Sequence, residues 1–352
     1  MPRDAYYFGT VCVPFDYDHL ADDLTDWLAF LRSIWPMVNG QEADEVLALQ
    51  EWFGYILSGR TDLHKILFIK GPKRSGKGTV ARILTALIGS CNVAGPTMGS
   101  LARNFGIQPL LGKSLAIIGD ARLPYGQQSA IVEKLLMISG EDKLTVDMKY
   151  RDAWSGKLSV RFTMLSNELP KFGDESGALA SRFLILTMVK SFLGEEDIEL
   201  YERLLKQLPA ILNWSLDGLD RLRERGRFVT PKASADAVQQ LEELSSPVSA
   251  FVREACRVGV DDNGKPRVHS FDDVYVQYLV WCELNNSRPS SKQMWTRNMT
   301  TAFPCADQAP TPNPPRGWDV EVATARMARA RHQPRVARRP ACRRSRGCPA
   351  AP

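Results

Sequence analysis

The sequence predicts an α/β fold, in which a mostly parallel sheet flanked by helices carries a glycine-rich loop at one edge. Two observations predict this class. First, the apolar run KILFI at 65–69 leads directly into GPKRSGKGT at 71–79, and helical periodicity then continues to Ile88. Second, short apolar runs at 115–118 and 162–165 are each followed by polar residues, which is typical of buried strands that end at the edge of a sheet.

The segment before the loop is predicted to be helical. Residues 20–58 carry apolar residues at helical spacing, with interruptions near Pro36 and at Asn39-Gly40, which indicates two or three helices. We therefore assign residues 1–60 to a helical linker or oligomerisation region and residues 61–228 to the core that contains the sheet.

Two further elements are predicted within the core. RFLILTM at 182–188 is a strand candidate, and residues 195–227 have a helical pattern. LTVDMKYRDAWSGKLSV at 144–160 alternates in polarity and contains a turn signal at Ser155-Gly156, so it is predicted to form a hairpin.

The C-terminal part is predicted to be separate from the core. The stretch FVTPKAS at 228–234 is a plausible boundary, and helical signal resumes after it, so residues 229–303 are expected to form a small helical or winged-helix domain. From residue 304 onward Pro, Arg and Ala dominate, and residues 304–352 are expected to be disordered. This tail is either a basic nucleic-acid-binding segment or an extension without a specific role, such as a shifted reading frame would produce.

Charge and cysteine content narrow the function classes. The formal net charge is +5, but nine arginines from Arg326 onward leave residues 1–325 at −4, so nucleic-acid contacts in the folded part require a local basic patch. The seven cysteines lack C-x-x-C spacing, which favours reduced thiols over a disulfide framework or a zinc site. Neither a signal peptide nor an 18-residue apolar run is present, so we expect a cytoplasmic protein without membrane contact.

The stretch at 71–79 fits the phosphate-binding pattern G-x-x-x-x-G-K. In such a loop, backbone N–H groups surround the β-phosphate, and the following helix adds its positive N-terminal dipole. Lys77 can reach the β- and γ-phosphates, while the glycines permit close backbone approach. The residues predicted to bind nucleotide are Gly71, Pro72, Lys73, Arg74, Ser75, Gly76, Lys77, Gly78 and Thr79.

The loop departs from the common pattern directly after its lysine. A Ser or Thr at that position usually helps to hold Mg²⁺, whereas this chain has Gly78 and places the hydroxyl at Thr79. Thr79 either takes the metal, contacts another phosphate or begins the helix. The GKGT sequence also resembles the loop of adenylate-kinase-type small-molecule kinases, which makes a small kinase a rival interpretation.

Three side chains at strand ends complete a candidate catalytic set. Asp120 follows LAII and can hold Mg²⁺ or polarise the attacking water. Asn167 ends the run FTMLSN and can bind the γ-phosphate or orient that water. Arg182 lies just before an apolar strand and can stabilise charge on a transferring phosphoryl group, in its own subunit or in a neighbouring one. Singly, each is equally typical of a turn residue or a surface charge.

The predicted hairpin combines cations with aromatic rings. Lys143, Lys149 and Arg151 supply positive charge, and Tyr150 and Trp154 supply stacking surfaces, a combination that suits single-stranded nucleic acid. A solvated hairpin with no ligand is the alternative.

Together these motifs resemble the superfamily 3 helicases, specifically the helicase half of phage- and plasmid-type primase-helicases. GPKRSGKGT matches Walker A, IIGD the Walker B strand, GEDKLTVDMKY the B′ region, FTMLSNELP motif C, and ASRF the arginine-finger region. The similarity extends over residues 10–300, and it implies an AAA+-like P-loop ATPase core. Such proteins form rings, usually homo-hexamers, that translocate on single-stranded DNA, here within a bacterial host cell.

The resemblance also implies the roles of single residues. ATP and Mg²⁺ are the expected cofactors, with Lys77 and Thr79 binding nucleotide and metal. Asp120 would be the Walker B acid and a further metal contact, Asn167 the sensor, and Arg182 the finger that reaches into the neighbouring subunit.

The resemblance also implies a DNA-contacting residue and a separate primase. It puts Lys149 on the pore hairpin that grips DNA. Primer synthesis is not expected, because the chain has neither an Asp-rich polymerase-type site nor a zinc motif. A primase would therefore belong to a separate domain or protein.

Two other functions stay open. One is a nucleotide-dependent DNA-binding assembly factor, in which Asp120 does not activate water. The other is the small-molecule kinase. A kinase should carry its loop near the N-terminus and a lid rich in phosphate-facing cations, whereas about seventy residues precede this loop.

Overall fold

The structure of the chain is a computed structural model that describes residues 12–174, 177–245, 247–257, 269–285, 289–302, 317–318 and 321–322. The chain divides into two compact units, Met1–Pro247 and Val248–Pro352. The first unit contains the sheet and the glycine-rich loop. None of the described helices combines the length and apolar character needed to span a bilayer.

The first unit is built from strands that alternate with helices. Its α-helices are α1 (Thr25–Ile34), α2 (Asp44–Leu57), α3 (Lys77–Ile88), α4 (Met98–Leu101), α5 (Gln128–Ser139), α6 (Leu200–Lys206), α7 (Leu208–Arg225) and α8 (Lys232–Ser245). Its strands are β1 (Ile66–Lys70), β2 (Val93–Ala94), β3 (Leu115–Ile118), β4 (Leu144–Val146), β5 (Trp154–Gly156), β6 (Arg161–Ser166) and β7 (Phe183–Thr187). The predicted break between the first two helices is a tight turn, in which Asn39 (φ 51°) and Gly40 (φ 78°) are both left-handed.

Five strands form one sheet in the order β2-β3-β6-β1-β7, and every pairing in it is parallel. The predicted parallel sheet flanked by helices is therefore confirmed. Because parallel strands run in one direction, the residues that follow them meet at one edge of the sheet, and the residues that precede them meet at the opposite edge. This separation decides which predicted site residues can act together.

Side chains alternate between the two faces of the sheet, and helices cover both faces. On β1, Leu67 and Ile69 pack into the core formed with α1, α2, α3, α6 and α7. Ile66 and Phe68 pack instead into the core formed with α4, α5 and α8. Strands buried on both faces read as continuous apolar runs, which is why the sequence pattern located them.

Helices α2 and α7 cross with almost no space between their backbones. A Cβ atom added to Gly54 would lie 2.3 Å from the Ser215 carbonyl oxygen and 2.7 Å from Leu219 Cβ. A Cβ added to Gly218 would lie 2.7 Å from the carbonyl oxygen of Gln50. Only glycine therefore fits on either side of this crossing, which joins the N-terminal helices to the rest of the unit.

Strands β4 and β5 form the predicted hairpin, but its turn is not where the sequence placed it. Val146 pairs with Trp154 and Leu144 pairs with Gly156, so Ser155-Gly156 lies inside β5 and residues 147–153 form the connection. Gly156 is needed for packing, because an added Cβ would lie 2.6 Å from the ring of Trp154.

Helix α8 belongs to the first unit, although the predicted boundary at 228 assigns it to the C-terminal domain. It packs on β7, and the backbone N–H of Ile185 donates to Ser234 Oγ at 2.9 Å. The division at Pro247 therefore lies one helix later than the sequence suggested.

The second unit is a small assembly of helices and short strands. Its elements are α9 (Pro247–Ala255), β8 (Cys256–Arg257), β9 (His269–Ser270), α10 (Phe271–Leu284), α11 (Lys292–Ala302), β10 (Gly317–Trp318) and β11 (Glu321–Val322). Phe251, Tyr278 and Trp295 are central to its core. Strands β10 and β11 pair with β9 and β8. Apart from these two strands, the tail predicted to be disordered from residue 304 lies outside the described residues.

Candidate active site

The glycine-rich loop connects the end of β1 to the start of α3. Gly71 donates its backbone N–H to the Ser166 carbonyl at 3.1 Å, and a Cβ at this position would lie 2.8 Å from Met188 Cβ. Gly76 is the N-cap of α3 and has φ 96°, a left-handed conformation that favours glycine. Both motif glycines thus meet a geometric requirement, one for close packing and the other for its backbone angle.

The segment after β7 supports the loop from one side. The backbone N–H of Phe192 donates to the Arg74 carbonyl at 2.9 Å, and Ser191 Oγ donates to the Lys73 carbonyl at 2.8 Å. Arg74 Nε lies 3.3 Å from a carboxylate oxygen of Glu196. Arg74 has φ 58°, which is uncommon for a residue with a side chain, and these contacts hold it there.

Lys77 is the central cation of the site. Its ammonium group donates to the carbonyls of Gly71 and Pro72 at 2.6 Å each, and to Asn167 Oδ1 at 3.1 Å. Burial lowers the pKa of Lys77, because the charged form has lost part of its hydration. A partly desolvated ammonium group attracts an anion more strongly than a hydrated one, which suits a phosphate ligand. Lys77 and Asn167, predicted independently from different motifs, are in direct contact.

Asp120 shares a cleft with Asn167. The cleft has a volume of about 520 Å³, and its polar lining includes Asp120, Arg122, Gln128, Asn167, Glu168 and Lys171. Asp120 lies two residues beyond β3, and one of its carboxylate oxygens is 3.3 Å from Arg122 Nε. The polar residues that follow β3 and β6 therefore converge, as the parallel sheet requires.

Sequence analysis missed Glu168 and Lys171 as members of this cleft. Glu168 directly follows the FTMLSN run and Lys171 lies three residues further on, so their position after a strand end was a usable signal. Asp120 and Glu168 both line the cleft, and Mg²⁺ in nucleotide sites is typically held by one or two carboxylates together with phosphate oxygens. In the described part of the chain, no group of three or more His, Cys, Asp or Glu side chains could hold a metal alone. The donor set thus fits a metal that arrives with nucleotide.

Thr79, the residue predicted to hold the metal together with Asp120, lies in the first turn of α3. Its Oγ1 accepts a hydrogen bond from Arg82 Nη2 at 3.4 Å, and it lines a second cavity, not the cleft that contains Asp120. The position after Lys77 is open, because a Cβ added to Gly78 would meet no atom within 4 Å. Thr79 and Asp120 thus line different cavities, and their pairing at a metal stays a prediction.

Arg182 lies at the opposite edge of the sheet from the loop. It directly precedes Phe183, which pairs with Ile66 at the start of β1, whereas the loop follows Lys70 at its end. At about 3.3 Å per residue, the five residues of β1 separate the two edges by roughly 16 Å. Arg182 donates instead to the Leu136 carbonyl at 3.0 Å and to Ser139 Oγ at 2.9 Å, both in α5. Arg182 therefore lies away from the loop of its own chain in this arrangement, and its role at a transferring phosphoryl group stays a prediction.

The hairpin connection presents the predicted DNA-binding side chains. Lys149, Tyr150 and Arg151 are exposed on residues 147–153, with Tyr150 92% exposed, and Lys143 is exposed just before β4. Lys149 Nζ lies 5.2 Å from the centre of the Tyr150 ring. An exposed aromatic ring next to two cations offers both a stacking surface and charge to a single strand.

Comparisons with known proteins support the fold. Residues 69–182, from β1 to the residue before β7, match a family of unknown function, DUF5906. An A-form apo structure of the NrS-1 C-terminal region is similar with a TM-score of 0.52 and 14% identity, covering 88% of this chain and 79% of that one. A second apo structure of that region gives 0.50 and 13%, with the same coverage. At these identities the likeness concerns the fold alone.

Proposed function

We propose that this chain is an ATP-dependent DNA helicase of the superfamily 3 type, with an AAA+-like core that drives translocation on single-stranded DNA in phage- or plasmid-type replication. The observation that carries the proposal is the contact between Lys77 Nζ and Asn167 Oδ1 at 3.1 Å, beside a cleft that Asp120 and Asn167 share. A phosphate-binding lysine and a polar residue from the adjacent strand meet where the γ-phosphate of a bound nucleotide would lie.

The residues of the site suggest separate roles in binding the phosphates, activating water and neutralising charge. Backbone N–H groups of the loop and Lys77 would bind the β- and γ-phosphates of ATP. Asn167 would hold the γ-phosphate or the attacking water, and a carboxylate of Asp120 or Glu168 would accept that water's proton as ADP departs. Mg²⁺, bound by these carboxylates with the phosphates, would supply charge neutralisation.

The position of Arg182 favours an assembly in which neighbouring chains complete each other's sites. Its guanidinium is about a strand's length from its own loop, so contact with a transferring phosphoryl group would require a second subunit. A homo-hexameric ring, in which each chain offers its loop on one side and Arg182 on the other, meets this requirement. Mixing Arg182→Ala chains with the parent would then inhibit parental ATPase activity beyond simple dilution.

ATP hydrolysis would act on DNA through the hairpin. Lys149, Tyr150 and Arg151 form the exposed tip, and Lys143 lies at its base, so a strand that passes through the ring would meet cations and a ring together. A primase, where present, would be a separate domain or protein.

One ATPase experiment tests the proposal. Turnover is measured with and without single-stranded DNA for the parent, Lys77→Ala, Asn167→Ala and the control Lys232→Ala. Lys232 is exposed and lines none of the cavities described above. We expect DNA to raise turnover in the parent and the control, and both site variants to lose at least tenfold. ATP binding without hydrolysis would favour the assembly factor, and phosphorylation of AMP or a nucleoside would favour the kinase.

A further inference from the structure

Two cavities lie side by side along β2, the strand at one end of the sheet, and residues 93–97 line both of them. The larger, of about 570 Å³, is completed by α3 and the end of β3, and the smaller, of about 420 Å³, by α4 and the residues after it. Because α3 and α4 cover opposite faces of the sheet, each face of β2 has a cavity beside it. We call the pair the β2 groove. The apolar residues of its larger part are Ala81, Val93, Ala94, Pro96, Ile117 and Ile118.

The outer edge of β2 is suited to receive a further strand. In the described part of the sheet, β2 pairs with β3 alone. Ser114 donates its backbone N–H to the Asn92 carbonyl at 3.0 Å, and backbone groups alternate in direction along a strand, so the Val93 carbonyl points away from β3. Proteins commonly cover such edges, because an exposed edge can pair with another chain. An extended segment along β2 would also direct alternate side chains into the two cavities.

The first described residue of the chain, Cys12, lies beside this groove. Its carbonyl accepts a hydrogen bond from Asn92 Nδ2 at 3.4 Å, and the same oxygen would lie 3.8 Å from a Cβ added to Gly89. Both contacts flank Ser90, which lines the groove shortly before β2 begins. Residues 1–11 therefore join the described chain at the start of β2.

We propose that residues 7–11 of the same chain, with the sequence YFGTV, bind along β2 and fill the groove. Four of these residues are of the aromatic or β-branched types that favour strands, namely Tyr7, Phe8, Thr10 and Val11. At about 3.4 Å per residue, five extended residues span roughly 17 Å, which is as far as residues 93–97 can extend. Docking of this segment needs neither ATP nor DNA, so it does not depend on the proposed function.

The junction at Cys12 sets the direction of the segment. Because Cys12 lies at the start of β2, residues 7–11 would run antiparallel to that strand, with Tyr7 and Phe8 near the far end of the groove. These two rings are neighbours in sequence and would therefore point to opposite faces of the sheet, so that each cavity would receive one ring. The apolar lining would bury the rings, and the covered edge of β2 would no longer be open to pairing with another molecule.

Photo-crosslinking in the full chain tests where the segment binds. The photoreactive analogue p-benzoylphenylalanine replaces Phe8 in the test variant and Tyr17, which is exposed and lines neither cavity, in the control. Two further variants carry the probe at position 8 together with Gly95→Leu or with Ala235→Leu. Gly95 lines both cavities, and an added Cβ there meets no atom within 4 Å, so leucine occupies the groove without strain. Ala235 is exposed on α8 and lines neither cavity.

We expect the probe at position 8, but not the probe at position 17, to crosslink to residues 90–97, as identified by mass spectrometry of peptides. Gly95→Leu should lower this yield about fivefold or more, because leucine takes the space of the segment, whereas Ala235→Leu should leave the yield unchanged. Crosslinks to another part of the chain, no crosslinks, or a yield that Gly95→Leu does not change would each contradict the proposal. Unlabelled and ¹⁵N-labelled chains are also mixed, and crosslinks between labelled and unlabelled peptides would overturn docking within the same chain.

Discussion

The crossing of α2 and α7 allows a quantitative prediction for Gly54→Ala. The new Cβ would lie 2.3 Å from the Ser215 carbonyl oxygen and 2.7 Å from Leu219 Cβ. Neither atom can rotate away, because one is backbone and the other is fixed to it. The helices must separate by about 1 Å to restore ordinary contact, which is at about 3.5 Å. Overpacking of this kind costs about 1–3 kcal/mol, and this case belongs at the upper end. Because alanine has a higher helix propensity than glycine, about 1 kcal/mol of this cost is offset, and the free energy of unfolding falls by a net of about 2 kcal/mol.

Urea unfolding followed by tryptophan fluorescence measures this loss. The matched control is Gly78→Ala, because Gly78 is also helical but has no atom within 4 Å of an added Cβ. We expect the control to be neutral or up to about 1 kcal/mol more stable, and Gly54→Ala to unfold at a clearly lower urea concentration. Equal or greater stability of Gly54→Ala would show that α2 and α7 are farther apart than described.

Three further predictions concern the site, the second unit and the hairpin. Gly78→Ser places a hydroxyl directly after the lysine, and we expect it to lower the Mg²⁺ concentration needed for half-maximal ATPase activity; no change would mean that another group already fills that role. Burial raises the pKa of Cys256 to about 12, so its thiolate fraction at pH 8 is roughly a thousandfold below that of an ordinary thiol. Iodoacetamide should therefore modify the exposed Cys91 far faster than Cys256. The Cys256 thiol loses its proton near pH 8.5 in the unfolded chain, so the second unit should also lose stability as pH rises above that value. Equal labelling of Cys256 and Cys91 would contradict the burial of Cys256. Tyr150→Ala should weaken single-stranded DNA binding by about 1–3 kcal/mol, read by fluorescence anisotropy, with basal ATPase activity as the control.

Most strands of the sheet were predictable from the sequence, because a strand that is buried on both faces is a continuous run of apolar residues. Strand β2 escaped detection, since its two residues, Val93–Ala94, are too short for any pattern. Helix α5 was not predicted, although QSAIVEKLLMIS carries apolar residues at helical spacing. The hairpin turn was misplaced because glycine marks close packing as well as turns, and at Gly156 the ring of Trp154 supplies that packing.

The candidate site was predictable to the extent that its residues follow strands. Asn167 and Asp120 both follow strands of one parallel sheet, so their shared cleft was implied by topology. Arg182 precedes its strand, and the same rule places it at the other edge. The second cavity, which Thr79 lines, was beyond prediction, because Phe30 and Arg203 are distant from the loop in sequence and meet it only through the packing of α1 and α6.

The contacts of Arg182 with α5 tie the end of that helix to the residue before β7. Its guanidinium holds the Leu136 carbonyl and Ser139 Oγ, in the last turn of α5, and the hairpin strand β4 begins five residues after that turn ends. Both hydrogen bonds come from Nη1, so the guanidinium keeps Nε and Nη2 donors that these two contacts do not use. Under the proposed function, a neighbour's nucleotide that contacts the remaining donors of Arg182 would be linked through this side chain to the helix that leads into the same chain's hairpin.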